Sequence, residues 1–168
     1  MEKNVLKIKN LKKTYHTKNK EILAVEDFSL NLKEGEFVSI VGPSGCGKST
    51  ILSILAELDN KSSGDIELTE KTRIGYMLQQ DALFDFRTVL DNCLLGLEIN
   101  KNLTNETKKY VLNLLKIYGL KDFINSYPAT LSGGMRQRVA LIRTLATNPD
   151  ILLLDEPFSS LDYISRLK

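Results

Sequence analysis

Phe37-Val-Ser-Ile-Val41-Gly42-Pro43-Ser44-Gly45-Cys46-Gly47-Lys48-Ser49-Thr50 is the stretch that decides the fold of this 168-residue chain. Phe37–Val41 is short, apolar and rich in β-branched residues, which predicts a buried strand. It feeds straight into Gly42-x4-Gly47-Lys48-Ser49. Ile51, Leu52, Ile54, Leu55 and Leu58 then predict a helix with one apolar face. Strand, glycine-rich turn and helix in this order make a phosphate-binding loop. The glycines let the backbone fold tightly, so that N–H groups point inward at a polyphosphate. The helix aims its positive N-terminal end at the same anion. At this spacing Lys48 reaches the β- and γ-phosphates, and the Ser49 hydroxyl holds Mg²⁺.

Working outward, Ile151-Leu-Leu-Leu154 predicts a second buried strand, ending in Asp155-Glu156-Pro157. Ligands of open α/β sheets sit at such C-terminal strand edges. Asp155 suits Mg²⁺, directly or through water. Glu156 is the candidate general base for an attacking water. Alone, the pair reads equally well as a helix cap; beside the phosphate loop it reads as the second half of one machine. Between these runs, residues 88–147 turn helical. Val111, Leu114, Leu115 and Tyr118 recur at helical spacing, and Gly119 stops that helix. Ser132 is expected to cap a helix running through Val139, Leu141, Ile142 and Leu145, which Asn148-Pro149 ends.

Leu131-Ser132-Gly133-Gly134-Met135-Arg-Gln-Arg138 offers a second anion cradle at a helix N-terminus. One nucleotide does not need two such cradles. The economical explanation is a dimer in which this one faces the partner's nucleotide. On the N-terminal side, apolar residues from Val5 to Leu32 suggest strands with turns between them, and Glu34-Gly35-Glu36 is a turn signal. Ser62-Ser63-Gly64 punctuates, Ile66 and Leu68 alternate with polar residues, and Arg73–Leu78 is a further strand candidate.

Composition narrows the classes. Apolar residues are 42% and charged residues 26%, as in an ordinary globular domain. The net charge of +2 gives no reason to expect a nucleic-acid partner. Two cysteines, Cys46 and Cys93, make no disulfide framework, and the single histidine, His16, leaves no His/Cys metal cluster. Cys93 reads as core and His16 as an exposed loop residue. Cys46, inside the phosphate loop, is a tolerated small residue or an oxidation-sensitive one. The Lys-rich opening reads as solvated strand and loop faces. No signal-peptide pattern and no run of 18 apolar residues is present.

Taken together, the phosphate loop, Leu131–Arg138 and Ile151-Leu-Leu-Leu-Asp-Glu-Pro-Phe-Ser-Ser-Leu-Asp162 resemble, in order and spacing, the ATP-binding-cassette ATPases. The resemblance spans the whole chain. It implies an α/β P-loop NTPase fold with a mostly parallel sheet, an N-terminal antiparallel β part and an inserted helical subdomain. The expected organisation is one incomplete nucleotide-binding domain, with residues 1–80 β-rich, 81–147 helical and 148–168 carrying the acidic strand end. Gln79, in Gly75-Tyr-Met-Leu-Gln79, looks like the family's glutamine that touches Mg²⁺ and the attacking water; Gln80 lies one position away. Tyr15 resembles the aromatic that stacks on adenine, although alone it reads as a half-buried strand residue. Asp162 resembles the aspartate that acts across the dimer. The ligands implied are ATP and Mg²⁺. The partners implied are a second ATPase subunit, a transmembrane permease subunit and, indirectly, a solute-binding protein, on the cytoplasmic face of the membrane. Arg87-Thr-Val-Leu-Asp-Asn92 and Gly134-Met-Arg-Gln-Arg-Val-Ala140 look most like importer ATPases of the nitrate/sulfonate/taurine type. Phe84 and Phe86 are core residues or, by the same resemblance, part of the surface that meets the membrane subunit.

The chain stops at Lys168, whereas the family pattern continues to a further strand and a switch histidine. The expectation is either a piece of a normal gene product or a short form that needs a partner. Such a form would bind nucleotide without hydrolysing it. A member acting on nucleic acid or the ribosome is the remaining alternative, against which the charge balance speaks.

Overall fold

The computed structural model of the chain describes residues 4–18 and 20–157. These fall into two compact units, one reaching to Ile74 and one starting at Gly75. Asp162 lies outside the described residues.

The first unit is built on a three-stranded antiparallel sheet in the order β2-β1-β3, with β1 over Asn4–His16, β2 over Glu21–Lys33 and β3 over Ser63–Leu68. Leu6 faces Leu32 and Leu68 across the sheet, and Ile8 faces Leu30 and Ile66. Such apolar cross-strand pairs are the unit of sheet stabilisation. The inward set of β1 begins on even positions, Leu6 and Ile8, and continues on odd ones, Leu11 and Lys13. The switch is a β-bulge: the register shifts between Ile8 and Leu11, with Asn10 at φ 48°. An inserted residue reverses which side chains face inward. Ser29 Oγ and Asp27 hold Asn10 there. Gly64 is required opposite, because a Cβ at its position would lie 2.4 Å from the Asn10 carbonyl oxygen. Thus Ser63 and Gly64, expected to punctuate, open β3 instead.

α1 spans Lys48–Leu55 and buries Ile51, Ile54 and Leu55. It stops short of the expected Leu58, which is 67% exposed beyond Glu57 at φ 57°. The larger correction concerns Phe37–Val41, which is not a strand. It belongs to neither sheet, and Phe37 and Val41 are 87% and 88% exposed. β-propensity does not hold extended backbone without a ladder partner. His16 ends β1 rather than lying in a loop, and pairs with Glu21 at 3.1 Å on the exposed side.

The second unit contains α2 over Val89–Ile99, α3 over Asn105–Ile117 and α4 over Gly133–Ala146. Each starts where its cap dictates. Thr88 and Asp91 form a capping box for α2, and Thr104 with Thr107 does the same for α3. Ser132 Oγ accepts from the Met135 N–H at 3.3 Å, as its position predicts. Val89, Cys93, Leu97, Val111, Leu115, Val139 and Ile142 pack into one core between the three helices. Each large aliphatic side chain so buried stabilises by about 1.5–3 kcal/mol. Cys93 is core as expected, and burial pushes its thiol up to about 12. Two strands complete the α/β architecture: β4 over Ile74–Met77 lies parallel beside β5 over Ile151–Leu154. Among the described residues no helix is long and apolar enough to cross a membrane.

Candidate functional site

In the first unit the glycine loop ends at Gly47, at φ 94°. Its hydrogen cannot be replaced by a side chain: a Cβ would stand 2.3 Å from the Ala24 carbonyl oxygen of β2. The loop therefore passes against the sheet backbone and turns at once into α1. Lys48 Nζ donates to the carbonyl oxygens of Gly42 and Pro43, each at 2.9 Å, and lies 3.7 Å from Cys46 Sγ. The ammonium thus gathers the loop's own start. Pro43, Ser44, Gly45, Cys46 and Ser49 are exposed along the turn, and Thr50 is half-buried in the first turn of α1.

Tyr15 stands on β1 in the same unit, with 36% of its surface exposed. Its hydroxyl donates to Asp59 Oδ2 at 2.6 Å, and Lys13 Nζ sits over its ring, 4.5 Å from the centroid. Lys13 corrects the expectation that the N-terminal lysines are all solvated. It is only 8% exposed, because the bulge in β1 turned its position inward.

In the second unit β4 and β5 deliver their ends side by side. The Asp155 N–H donates to the Met77 carbonyl at 3.1 Å, so the ladder runs one residue past β5. Asp155 is buried and its Oδ2 accepts from the Tyr76 hydroxyl at 3.3 Å. Glu156 is exposed and takes a left-handed backbone at φ 46°, uncommon for a residue with a side chain. Its Oε2 accepts from Gln79 Nε2 at 2.8 Å. Of the two adjacent glutamines it is Gln79 that meets Glu156. Two residues 77 positions apart in sequence, both singled out at the sequence level, are therefore brought together.

Ser132, Gly133 and Gly134 open α4, which is anchored by contacts the sequence did not reveal. Arg136 Nε donates to Asp81 Oδ2 at 2.9 Å. Arg143 donates to the carbonyls of Asp81 and Ala82, each at 2.7 Å. Burial lowers the pKa of Arg143, with Cys93 and Asp81 acting against that shift. These bonds hold the segment after Gln79 against α4. Between them lies a cleft of about 370 Å³ lined by Gln79, Gln80, Asp81, Gly133, Arg136 and Gln137. No local pattern marks Asp81 as the residue the two arginines would seek. Phe84 and Phe86 pack with their rings tilted by 59° and centroids 5.5 Å apart, with 41% and 76% of their surfaces exposed, so they are not core.

The Ser49 hydroxyl in the first unit, and the Gln79 amide and Asp155 carboxylate in the second, are each hard oxygen donors of the kind suited to Mg²⁺ rather than to zinc or copper. Among the described residues no three His, Cys, Asp or Glu side chains cluster to form a cage. Mg²⁺ commonly takes one or two carboxylates and completes its shell with substrate phosphates and water, so the chemistry of these donors suits it.

Comparison with known proteins places this chain. The ABC transporter family model matches residues 25–159. The uncharacterized ABC transporter ATP-binding protein YtlC of Bacillus subtilis is 47% identical, over 96% of this chain and 65% of that protein. The spermidine/putrescine import ATP-binding protein PotA of Spiroplasma citri is 39% identical, over 100% of this chain and 49% of that protein. The chain thus spans about half to about two thirds of the length of these curated relatives. Among solved structures, the dimeric post-hydrolysis state of the ATP-binding cassette MJ0796 bound to ADP and Pi superposes with a TM-score of 0.82. It is 38% identical, over 95% of this chain and 77% of that one. The antiparallel sheet, the glycine loop with its helix, the helical block and the acidic strand end are the P-loop α/β fold of such cassettes. The chain belongs to the ABC transporter family.

Proposed function

We propose that this chain is the ATP-binding and ATP-hydrolysing part of a subunit that energises a membrane importer for a small solute. The observation that carries the reading is the 2.8 Å bond from Gln79 to Glu156, at the ends of two neighbouring strands. A carboxylate directed by an amide, next to a buried carboxylate, is the arrangement that water activation requires.

In this reading Tyr15 stacks on adenine. The backbone from Gly42 to Thr50 binds the phosphates, and Lys48 exchanges the Gly42 and Pro43 carbonyls for phosphate oxygens. Ser49, Gln79 and Asp155 hold Mg²⁺, which neutralises charge developing on the phosphates. Glu156 takes the proton from the attacking water. Ser132 and Gly134, with Gly133 between them, close on the γ-phosphate of a second subunit, and Asp162 acts across that dimer. The exposed Phe84–Phe86 pair is the surface for a transmembrane permease, which in turn meets a solute-binding protein. The subunit then sits peripherally on the cytoplasmic face of the membrane. A nitrate/sulfonate/taurine solute rests on Arg87–Asn92 and Gly134–Ala140 alone.

Glu156→Gln tests the reading. The variant is expected to keep ATP affinity and to lose turnover about 10²–10⁴-fold in a steady-state phosphate-release assay. Turnover equal to that of the unaltered protein removes Glu156 as the base.

A further inference from the structure

We propose that Asp59 and Lys13 are positioning residues for nucleotide binding. They lock the Tyr15 ring as a preformed platform, Asp59 gripping its hydroxyl and Lys13 covering one face, so that the opposite face receives the base. This rests on the reading of Tyr15 as the adenine platform and names what makes that platform rigid.

The three residues form a closed set. Lys13 Nζ donates to Asp59 Oδ1 at 2.6 Å and to the Asn60 carbonyl oxygen at 2.6 Å. The second carboxylate oxygen, Oδ2, accepts from the Tyr15 hydroxyl at 2.6 Å. The Asn60 N–H adds a further bond to Oδ1 at 2.7 Å. A carboxylate with both oxygens committed to different partners is fixed in orientation, and it fixes the hydroxyl it accepts from. Lys13 then stands over the ring it has helped to place. Its own freedom is gone, because it is 8% exposed in the inward register set by the β1 bulge.

The titration of the pair agrees. The Asp59 carboxyl is held below its ordinary range, first by the Lys13 bond and then by the Tyr15 bond. The Tyr15 phenol is raised, first by the Asp59 bond and then by burial. A neutral phenol donating to an ionised carboxylate has these signs. The nearby Thr50 side chain acts on Tyr15 in the opposite direction. Thr50 lies in the first turn of the helix that follows the phosphate loop. An unheld surface tyrosine must lose rotamer freedom when a base stacks on it. A ring held beforehand does not, and that saving appears as affinity for the base but not for the phosphates.

The test compares Mg²⁺-ATP with Mg²⁺-tripolyphosphate, which lacks the base, by titration calorimetry on the protein. The readout is the ratio of the two affinities, and tripolyphosphate binding reports that each variant is folded. Tyr15→Ala is expected to lower the ratio about tenfold or more. Asp59→Asn and Lys13→Met are each expected to lower it about three- to tenfold, with tripolyphosphate affinity unchanged. In a Tyr15→Phe background, Asp59→Asn is expected to have a smaller effect, since the hydroxyl it grips is gone and only its hold on Lys13 remains. If Tyr15→Ala lowers the ratio while Asp59→Asn and Lys13→Met leave it intact, the clamp is refuted and the platform stands. If Tyr15→Ala leaves the ratio intact, both are refuted. Equal loss of both ligands, or an Asp59→Asn effect that is undiminished in the Phe background, refutes the clamp as well.

Discussion

Phe37–Val41 and Ile151–Leu154 are two short apolar runs, each leading into a motif of the candidate site, and they end in opposite states. Ile151 and Leu153 are buried, and β5 is paired with β4. Phe37 and Val41 lie open and the run belongs to neither sheet. Their residue types do not explain this, since the first run is, if anything, richer in β-formers. The difference is the neighbour. β4 offers β5 a row of backbone groups, and the ladder continues to Asp155 through the Met77 carbonyl. The phosphate loop takes its shape without such a ladder, from the close pass of Gly47 at the β2 backbone and from the Lys48 ammonium. One motif is held by a sheet and the other by a turn.

The contrast can be broken by thiol labelling. Cys46 sits exposed in the turn, whereas Cys93 is in the helical core with its thiol pushed up to about 12. At pH 8 a thiol at about 12 is only about 10⁻⁴ thiolate, so Cys46 should react with a disulfide reagent roughly 10³-fold faster. Comparable rates would mean that the second unit opens as readily as the loop. Next in size is Leu153→Ala in β5, which removes a side chain only 7% exposed. It should lower unfolding free energy by about 2–4 kcal/mol in a denaturant titration. A loss below about 1 kcal/mol would show that β5 is not held as its burial indicates. Smallest is Val41→Ala, at a site 88% exposed, expected within about 0.5 kcal/mol of the unaltered protein. A loss as large as that of Leu153→Ala would mean that the first run is buried in solution and that the two stretches are alike after all.

Local signals were legible where the physics is local. Ser132 at the head of its helix and the apolar spacing around Val111 and Leu115 each involve residues within a turn or two of one another. Capping and periodicity act over that distance, so a sequence displays them directly. Gln79 and Glu156 were also legible, but only through the order of motifs along the whole chain. Asp81 was not. It is served by Arg136 and Arg143, 55 and 62 positions away, and nothing beside it in the sequence announces a cation partner. Lys13 misled for a related reason: alternation along β1 predicts its exposure only if no residue is inserted, and one is.

The sequence by itself determined the chemistry on offer: a glycine loop with its lysine, two carboxylates after an apolar strand, a capped Ser-Gly-Gly helix and an aromatic near the start. Residue type and spacing suffice for these, because each motif is short enough to be specified by its own backbone. Only the tertiary structure decided which apolar run became a strand, that Lys13 turned inward onto Asp59 and Tyr15, and that Gln79 met Glu156. Those outcomes depend on which partner is within reach when the chain closes on itself, and a ladder, a bulge or a buried ion pair forms only when both halves arrive.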